Sequence, residues 1–449
     1  MASVINQSNN NSSLVATLME AQESVVNPFI YNINKQTKFH GLQYVEESAE
    51  NAGNASAGKS IDFNISKFGF LRTAILKWTM TAGGTSGTAI TGVRTGLLNC
   101  IDRVEILSSS RRLAVLDKYA FMCAISDMPR DVQMSYSKGL HMSATANQLV
   151  GGSSYNAYLN LPFSFFNNVK NALPVSFVEP VKIRVYFSDL KFGSQSTTAT
   201  THAVSDPALL CEFRVLDNED EDATIQENYD GVLTQLNYDY ETEGAVTGTL
   251  TNSADLTLEK TISSNAVASD IYIIVSADTS AQSSTVAANQ KALECPLLIR
   301  SLQLTGSGQN IVPEVRGEYF EYFGRRSSGD GFHSLGSSFH SQGAEDAGQL
   351  KWVYKIQLGM DGDKQHQSGG ISLREINACT VKVAVAQAGS ADDRTGDEAD
   401  TTNPETIAVD NQNESVLNGL KVSLRVVVRH HTLVSTDPAS GRLTNMLTN

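Results

Sequence analysis

Basic residues are missing from the start of this chain: no Lys, Arg or His precedes Lys35. Over the whole chain 34 Lys and Arg face 48 Asp and Glu, for a net charge of −14. A protein that neutralises phosphates needs cations gathered on one face. Direct nucleic-acid binding is therefore not expected. Cysteine is scarce as well. Cys100, Cys123, Cys211, Cys295 and Cys379 form no C-x-x-C pair, and most sit inside apolar runs. They read as buried thiols of a reducing compartment, which excludes a disulfide framework or a zinc site. No stretch of 18 apolar residues occurs, so no membrane-spanning helix is expected. The first residues lack a charged segment followed by an apolar one, so passage through the signal-peptide route is not expected either. Sequons such as Asn64-Ile65-Ser66 should then stay unmodified.

What is present favours β-structure. Hydrophobic residues make up 41% of the 449 and charged residues only 18%, enough apolar material for a large core among neutral loops. Ile61, Phe63 and Ile65 alternate with polar residues at the period of a half-buried strand. Further strands are expected over Leu71–Met80, Cys100–Leu107, Tyr155–Leu161, Val181–Phe187 and Leu209–Leu216. A second series begins near Leu256 and runs through Ile271–Val275, Leu297–Leu304, Trp352–Leu358, Ile376–Val385 and Leu420–Val428. Helices are expected over Asp117–Ile125, over Phe163–Asn171 and, just after Pro313, over Glu314–Phe323. The acidic run Asp217–Asp222 cannot be core and marks a boundary. These signals divide the chain into an arm over 1–40, a first unit over 41–222 and a second over 223–449.

The two units read as copies of one plan. Ile101, Val104 and Ile106 stand 198 residues before Ile299, Leu302 and Leu304. Leu173, Val175, Val181, Ile183, Val185 and Phe187 precede Ile371, Leu373, Cys379, Val381, Val383 and Val385 by the same interval. Ile61 and Phe63 align with Leu256 and Leu258 at an offset of 195, and Cys211–Val215 align with Val422–Val426 at 211. Extra residues of the second copy are expected in the acidic, Thr-rich loop Ala391–Asn413. In both copies a short hydrophilic turn is expected to lead from Leu107 or Leu304 into an aromatic helix. The fold class expected is all-β: two consecutive eight-stranded antiparallel jelly-roll barrels, with short helices in the connecting loops and an N-terminal helical arm. Immunoglobulin-like sandwiches share the period, but their domains run nearer 100 residues.

The arm carries one helical face. Leu14, Leu18, Ala21 and Val25 recur at i, i+4, i+7 and i+11. Ser12 or Ser13 can cap the start, and Asn27-Pro28 stops it. A helix this short is marginal alone, so the face needs a surface to bury against. It holds no Lys or Arg to draw it to anionic lipid, which makes protein contact the expected use.

Motifs for catalysis or cofactors are weak. Gly53–Ser60 (GNASAGKS) satisfies the phosphate-loop pattern, but that loop needs a buried strand before it and a helix after it. Polar, acidic sequence precedes it and strand alternation follows, so a flexible loop is expected. Asp361-Gly362-Asp363 reads as a tight turn, not a calcium loop. His333, His340 and His366 match no tight metal spacing. His430-His431 closes a strand, with one ring expected at a barrel end and the other exposed. No metal, cofactor or catalytic set is expected.

One segment carries a family resemblance. Leu161-Pro162-Phe163-Ser164-Phe165-Phe166, continuing through Leu173-Pro174-Val175 to Val181-Lys182-Ile183-Arg184-Val185, resembles a stretch of double jelly-roll major capsid proteins. Ile101-Asp102-Arg103-Val104-Glu105-Ile106 resembles the strand before the first barrel's helix in that lineage. The lineage takes in nucleocytoplasmic large DNA viruses, virophages, polinton-like viruses and tailless membrane-containing phages. The resemblance implies a non-enzymatic shell protein that forms pseudo-hexagonal homotrimers on an icosahedral virion, assembled in the host cell interior. Its implied partners are its own copies, minor capsid and penton proteins, and an inner membrane beneath the shell where the virus has one. A carbohydrate- or receptor-binding spike is the alternative within jelly rolls. It would need a concave aromatic site, and Trp78 and Trp352, the only tryptophans, both fall within strand patterns.

Overall fold

The computed structural model describes residues 41–216, apart from 57, 91–94, 110, 129, 143–148, 165–171 and 196–197. It also describes residues 234–447, apart from 252, 278–298, 318, 320–334, 338–352, 360–368, 386–418 and 438–441. The helix face of Leu14, Leu18, Ala21 and Val25 lies outside the described residues, as do the acidic run and the loop 391–413.

In the first half the strands are β1 (Gly41–Ser48), β2 (Ser60–Asn64), β3 (Phe70–Thr81), β4 (Ala89–Ile90), β5 (Ile101–Ser108), β6 (Arg111–Asp117), β7 (Leu149–Val150), β8 (Ser154–Asn160), β9 (Leu173–Pro174), β10 (Val181–Phe187), β11 (Lys191–Gln195), β12 (Thr198–Thr201) and β13 (Ala203–Val215). Helices α1 (Lys118–Ser126) and α2 (Arg130–Gly139) lie between β6 and β7. One sheet has the order β1-β13-β3-β8, with β9 beside β3; another has the order β2-β10-β5-β6. Alternation explains the arrangement. On β10, Val181, Ile183, Val185 and Phe187 are buried while Lys182, Arg184 and Tyr186 are half-buried. The apolar faces of both sheets meet in one core around Trp78, Phe63, Phe121 and Phe213.

The second half repeats this order. Its strands are β14 (Thr234–Thr242), β15 (Val246–Thr249), β16 (Leu256–Thr261), β17 (Val267–Ala277), β18 (Ile299–Gly306), β19 (Gln309–Arg316), β20 (Leu335–Ser337), β21 (Val353–Gln357), β22 (Ile371–Ser372), β23 (Thr380–Val385), β24 (Lys421–Asp437) and β25 (Arg442–Leu447). β16-β23-β18-β19 matches β2-β10-β5-β6, and β14-β24-β17-β21 matches β1-β13-β3-β8. Register agrees residue by residue. Val104 lies opposite Val185, and Leu302 lies opposite Val383, each shifted by 198. In the other sheets a bulge falls at one shared place: Glu212 and Phe213 face Thr73 and Leu71, and Arg429 and His430 face Asp270 and Ala268.

That register corrects two alignments. Ile61 faces Val185, and the residue facing Val383 is Leu258, so Ile61 corresponds to Leu258 at an offset of 197 rather than 195. The shared bulge sets Glu212 against Arg429, an offset of 217 rather than 211 for the closing strand. Both errors are even numbers, and an even slip keeps every side chain on its own face, so alternation cannot reveal it. The hydrophilic turn expected after Leu107 and Leu304 is in each case a hairpin into another strand, β6 or β19. Residues 314–316 therefore end a strand, and of the expected helix Glu314–Phe323 the described residues 317 and 319 are helical. Pro313 is tolerated because β19 is the edge of its sheet, where a missing N–H breaks no ladder. Residues 161–163 are irregular, and 165–171 lie outside the described residues. Helix α2 adds to the expected helices and follows Pro129, a residue common at helix starts.

Candidate functional site at the junction of the two barrels

Helix α1 joins the halves. Asp117 caps its start by accepting from the backbone N–H of Ala120 at 2.7 Å, and it also accepts from Thr242 Oγ1 of β14 at 2.9 Å. Burial raises the Asp117 carboxyl above its usual range, and these hydrogen bonds oppose the rise. Ala120 through Ile125 are buried. The helix ends at Asp127, whose N–H bonds back to the carbonyls of Cys123 and Ile125.

Asp127 is the centre of the junction. A carboxylate at a helix C-terminus meets the negative end of the dipole, so it needs cations supplied from elsewhere. The second half supplies them. Lys355 Nζ on β21 reaches Oδ1 at 2.9 Å, Arg429 Nη1 on β24 reaches Oδ2 at 3.0 Å, and the Tyr272 hydroxyl on β17 donates to Oδ2. Asp270 completes the cluster, with Arg429 Nη2 at 2.5 Å and Lys355 Nζ at 3.2 Å. Ser269 Oγ donates to Asp270 at 2.9 Å and accepts from Arg429 Nε at 3.1 Å. Two anions and two cations balance in an almost water-free site. Asp127 and Arg429 keep 5% and 6% of their side-chain exposure, and Asp270 keeps 1%. Such a cluster confers little net stability over apolar packing, but removing one member strands a buried charge. It can therefore set one arrangement of the two halves and penalise others.

Apolar contact surrounds the charges. Ile271, Ile273 and Val275 of β17 point into the second core, while Tyr272 and Ile274 join the first core together with Val353 and Val427. The guanidinium of Arg425 lies over the Tyr119 ring at 4.1 Å. The β14-β24-β17-β21 sheet is thus covered on both faces. A strand buried on both faces reads as an unbroken apolar run, and Ile271–Val275 and Val426–Val428 are such runs.

The other singled-out residues take no part. Gly53 and Lys59 are exposed, and strand β2 follows directly where a phosphate loop needs a helix. His430 and His431 are both buried, within β24 rather than at its end, because β14 and β17 cover that strand on either side. This overturns the expectation of one exposed ring. Burial pushes the thiols of Cys100 and Cys379 up to about 12 and about 11, so they are inert packing groups. Cys123 and Cys211 are also buried. Cys295, His333, His340, His366, Trp352 and Asp361–Asp363 lie outside the described residues. Among the described residues no group of three or more His, Cys, Asp or Glu is placed to hold a metal ion.

Residues 29–213 match the family model described as major capsid protein N-terminus. No curated protein matches the chain by sequence. Solved structures match along nearly its whole length. VP54 of PBCV-1, fitted into a reconstruction of the virophage Sputnik, is 14% identical with a TM-score of 0.63, covering 94% of this chain and 100% of that one. The Faustovirus major capsid protein is 10% identical with a TM-score of 0.56, covering 90% and 92%. The mavirus major capsid protein is 10% identical with a TM-score of 0.54, covering 93% and 94%. At such identities the likeness is one of fold, and the fold is the all-β double jelly roll. The family match covers the first barrel, and the chain as a whole shares the fold of these double jelly-roll major capsid proteins.

Proposed function

We propose that this chain forms homotrimeric, pseudo-hexagonal capsomers that tile an icosahedral shell. The observation that carries this reading is the repeated register, with Val104 opposite Val185 and Leu302 opposite Val383. Two equivalent wedges per chain let three chains supply six similar sides under one closed symmetry. The working units are an arm over 1–40, a first jelly roll over 41–222 and a second over 223–449. The role is structural rather than catalytic, in the virion shell, with assembly inside the host cell. The arm's face of Leu14, Leu18, Ala21 and Val25 serves assembly, docking on a neighbouring capsomer or on a minor capsid or penton protein in preference to an underlying membrane. The acidic balance supports no direct contact with nucleic acid. The test is the mass of the purified protein in solution. Three times 48.4 kDa is expected, and a monodisperse monomer at micromolar concentration overturns the reading.

A further inference from the structure

At one end of the first barrel three loop segments are locked into a single platform. One follows β3, one precedes β8, and one runs from β11 through β12 into β13. The Gln195 side chain is their hub. Its Oε1 accepts from the Thr85 N–H at 2.7 Å, and its Nε2 donates to the carbonyls of Thr85 and Thr88 at 3.2 Å and 2.7 Å. Backbone hydrogen bonds join Gly87 N–H to the Gly151 carbonyl at 3.0 Å and Gly151 N–H to the Thr88 carbonyl at 2.9 Å. The segments cross so closely that a Cβ on Gly83 would lie 1.8 Å from the Thr201 carbonyl oxygen.

His202 ties this crossing together, and only 5% of it is exposed. Its backbone N–H donates to the Leu190 carbonyl at 2.8 Å, and its ring lies 4.2 Å from that of Phe192. The ring bridges two of the segments. Nε2 stands 2.9 Å from the Phe192 carbonyl oxygen, so it carries the proton and donates. Nδ1 accepts from the Gly83 N–H at 3.3 Å, so it is bare. Only the neutral ring satisfies both partners. A second proton, on Nδ1, would face the Gly83 N–H, break that bond and leave a cation where water is scarce. No charge stands ready to hold it. Residues 82–90 and 149–153 have no ionisable side chain, and on the flanking segments Asp189, Lys191 and Asp206 are exposed. His141, on the turn after α2, bonds the Asn156 carbonyl at 3.0 Å instead. Burial outweighs the Phe192 hydrogen bond and holds the His202 imidazole below 6.5.

We infer that His202 is an acid-sensitive latch, whose protonation releases Gly83 and loosens the platform of residues 82–90, 149–153 and 191–195 while the barrel stays folded. The closed platform favours the neutral ring, so the latch holds fully above pH 6.5 and lets go as the pH falls. The barrel can outlast the change because β13 is paired on both sides, with β1 and with β3, independently of the platform. A loop surface that differs between neutral and acidic surroundings lets the protein show or withhold contacts by compartment. The latch lies within one chain and does not depend on the capsomer reading.

The test is backbone hydrogen exchange of the full chain at a series of pH values from 7.5 to 4.5, read by mass spectrometry and corrected for the intrinsic rate at each pH. Peptides covering 82–90 and 191–195 should lose protection roughly tenfold at the acid end, the effect of about one hydrogen bond, while peptides of β3 and β13 keep theirs. Exchange at the His202 ring C2–H, followed in the same series, should give a midpoint below 6.5 that coincides with the loss of protection. His202→Gln carries an amide that can accept from Gly83 and donate to Phe192 without titrating, so it should abolish the acid response. His141→Gln should leave the response intact. Equal protection at both ends of the series in the parent overturns the inference, as does a response that persists in His202→Gln. If His202→Gln does not fold, the parent decides alone: a loss of protection whose midpoint departs from that of the His202 ring overturns the inference.

Discussion

Asp127 Oδ2 accepts a hydrogen bond from Arg429 Nη1 at 3.0 Å, although 302 residues separate them. The pair links the end of α1 to the middle of β24, hence the first barrel to the second. Its near-complete burial decides what its loss would cost.

Asp127→Ala leaves Arg429 and Lys355 facing only Asp270. Stranding a buried charge costs about 3–5 kcal/mol, so a loss of that size is expected in chemical denaturation. The Asp127→Ala/Arg429→Ala double variant should lose less than the sum of the two single losses, because the groups share one network. Additive losses would show that the pair is not coupled.

Two groups on neighbouring strands set opposing responses to pH. Burial, helped by the charge of Arg429, lowers the His431 imidazole from 6.5 to about 4. The folded state favours the neutral ring, so this contribution is complete above pH 6.5 and is lost as the pH falls towards about 4. His430 is shifted the same way by burial. Burial raises the Asp239 carboxyl from 3.8 to about 7. That contribution is complete below pH 3.8 and is lost as the pH rises through about 7. A series of melting temperatures from pH 4.5 to 8 should show His431→Gln flattening the acid side. Asp239→Asn should gain on the parent at pH 8 and not at pH 4.5.

Lys59 is exposed in a loop that runs into a strand, so Lys59→Ala should change stability by less than about 0.5 kcal/mol. Calorimetry with ATP should give no binding heat for parent or variant. Micromolar binding in the parent, abolished by the substitution, would restore the phosphate-loop reading.

Deleting residues 1–27 removes the face of Leu14, Leu18, Ala21 and Val25. The truncated protein should remain soluble and trimeric with a nearly unchanged melting temperature, and should fail to assemble shells under electron microscopy. Failure to fold would place the helix in the barrel core, and normal shells would make it dispensable.

Much of the fold was legible because one physical rule governs it. A strand with one face on a core must alternate, and Val181–Phe187 alternates with bounds that coincide with β10. Strands that break the rule were harder to read. β19 is half-exposed at a sheet edge and contains Pro313, so it looked like a helix start. The junction was barely legible, since nothing near Asp127 in the sequence announces that its cations come from Lys355 and Arg429.

By itself the sequence determined the antiparallel β character, the duplication and the strands that form each core, since these follow from local alternation and its recurrence. Tertiary structure decided the true offsets of 197 and 217, the burial of both His430 and His431, and the covering of the second barrel's β14-β24-β17-β21 sheet on both faces. Those outcomes depend on which surfaces meet across hundreds of residues, and a period of two carries no record of that meeting.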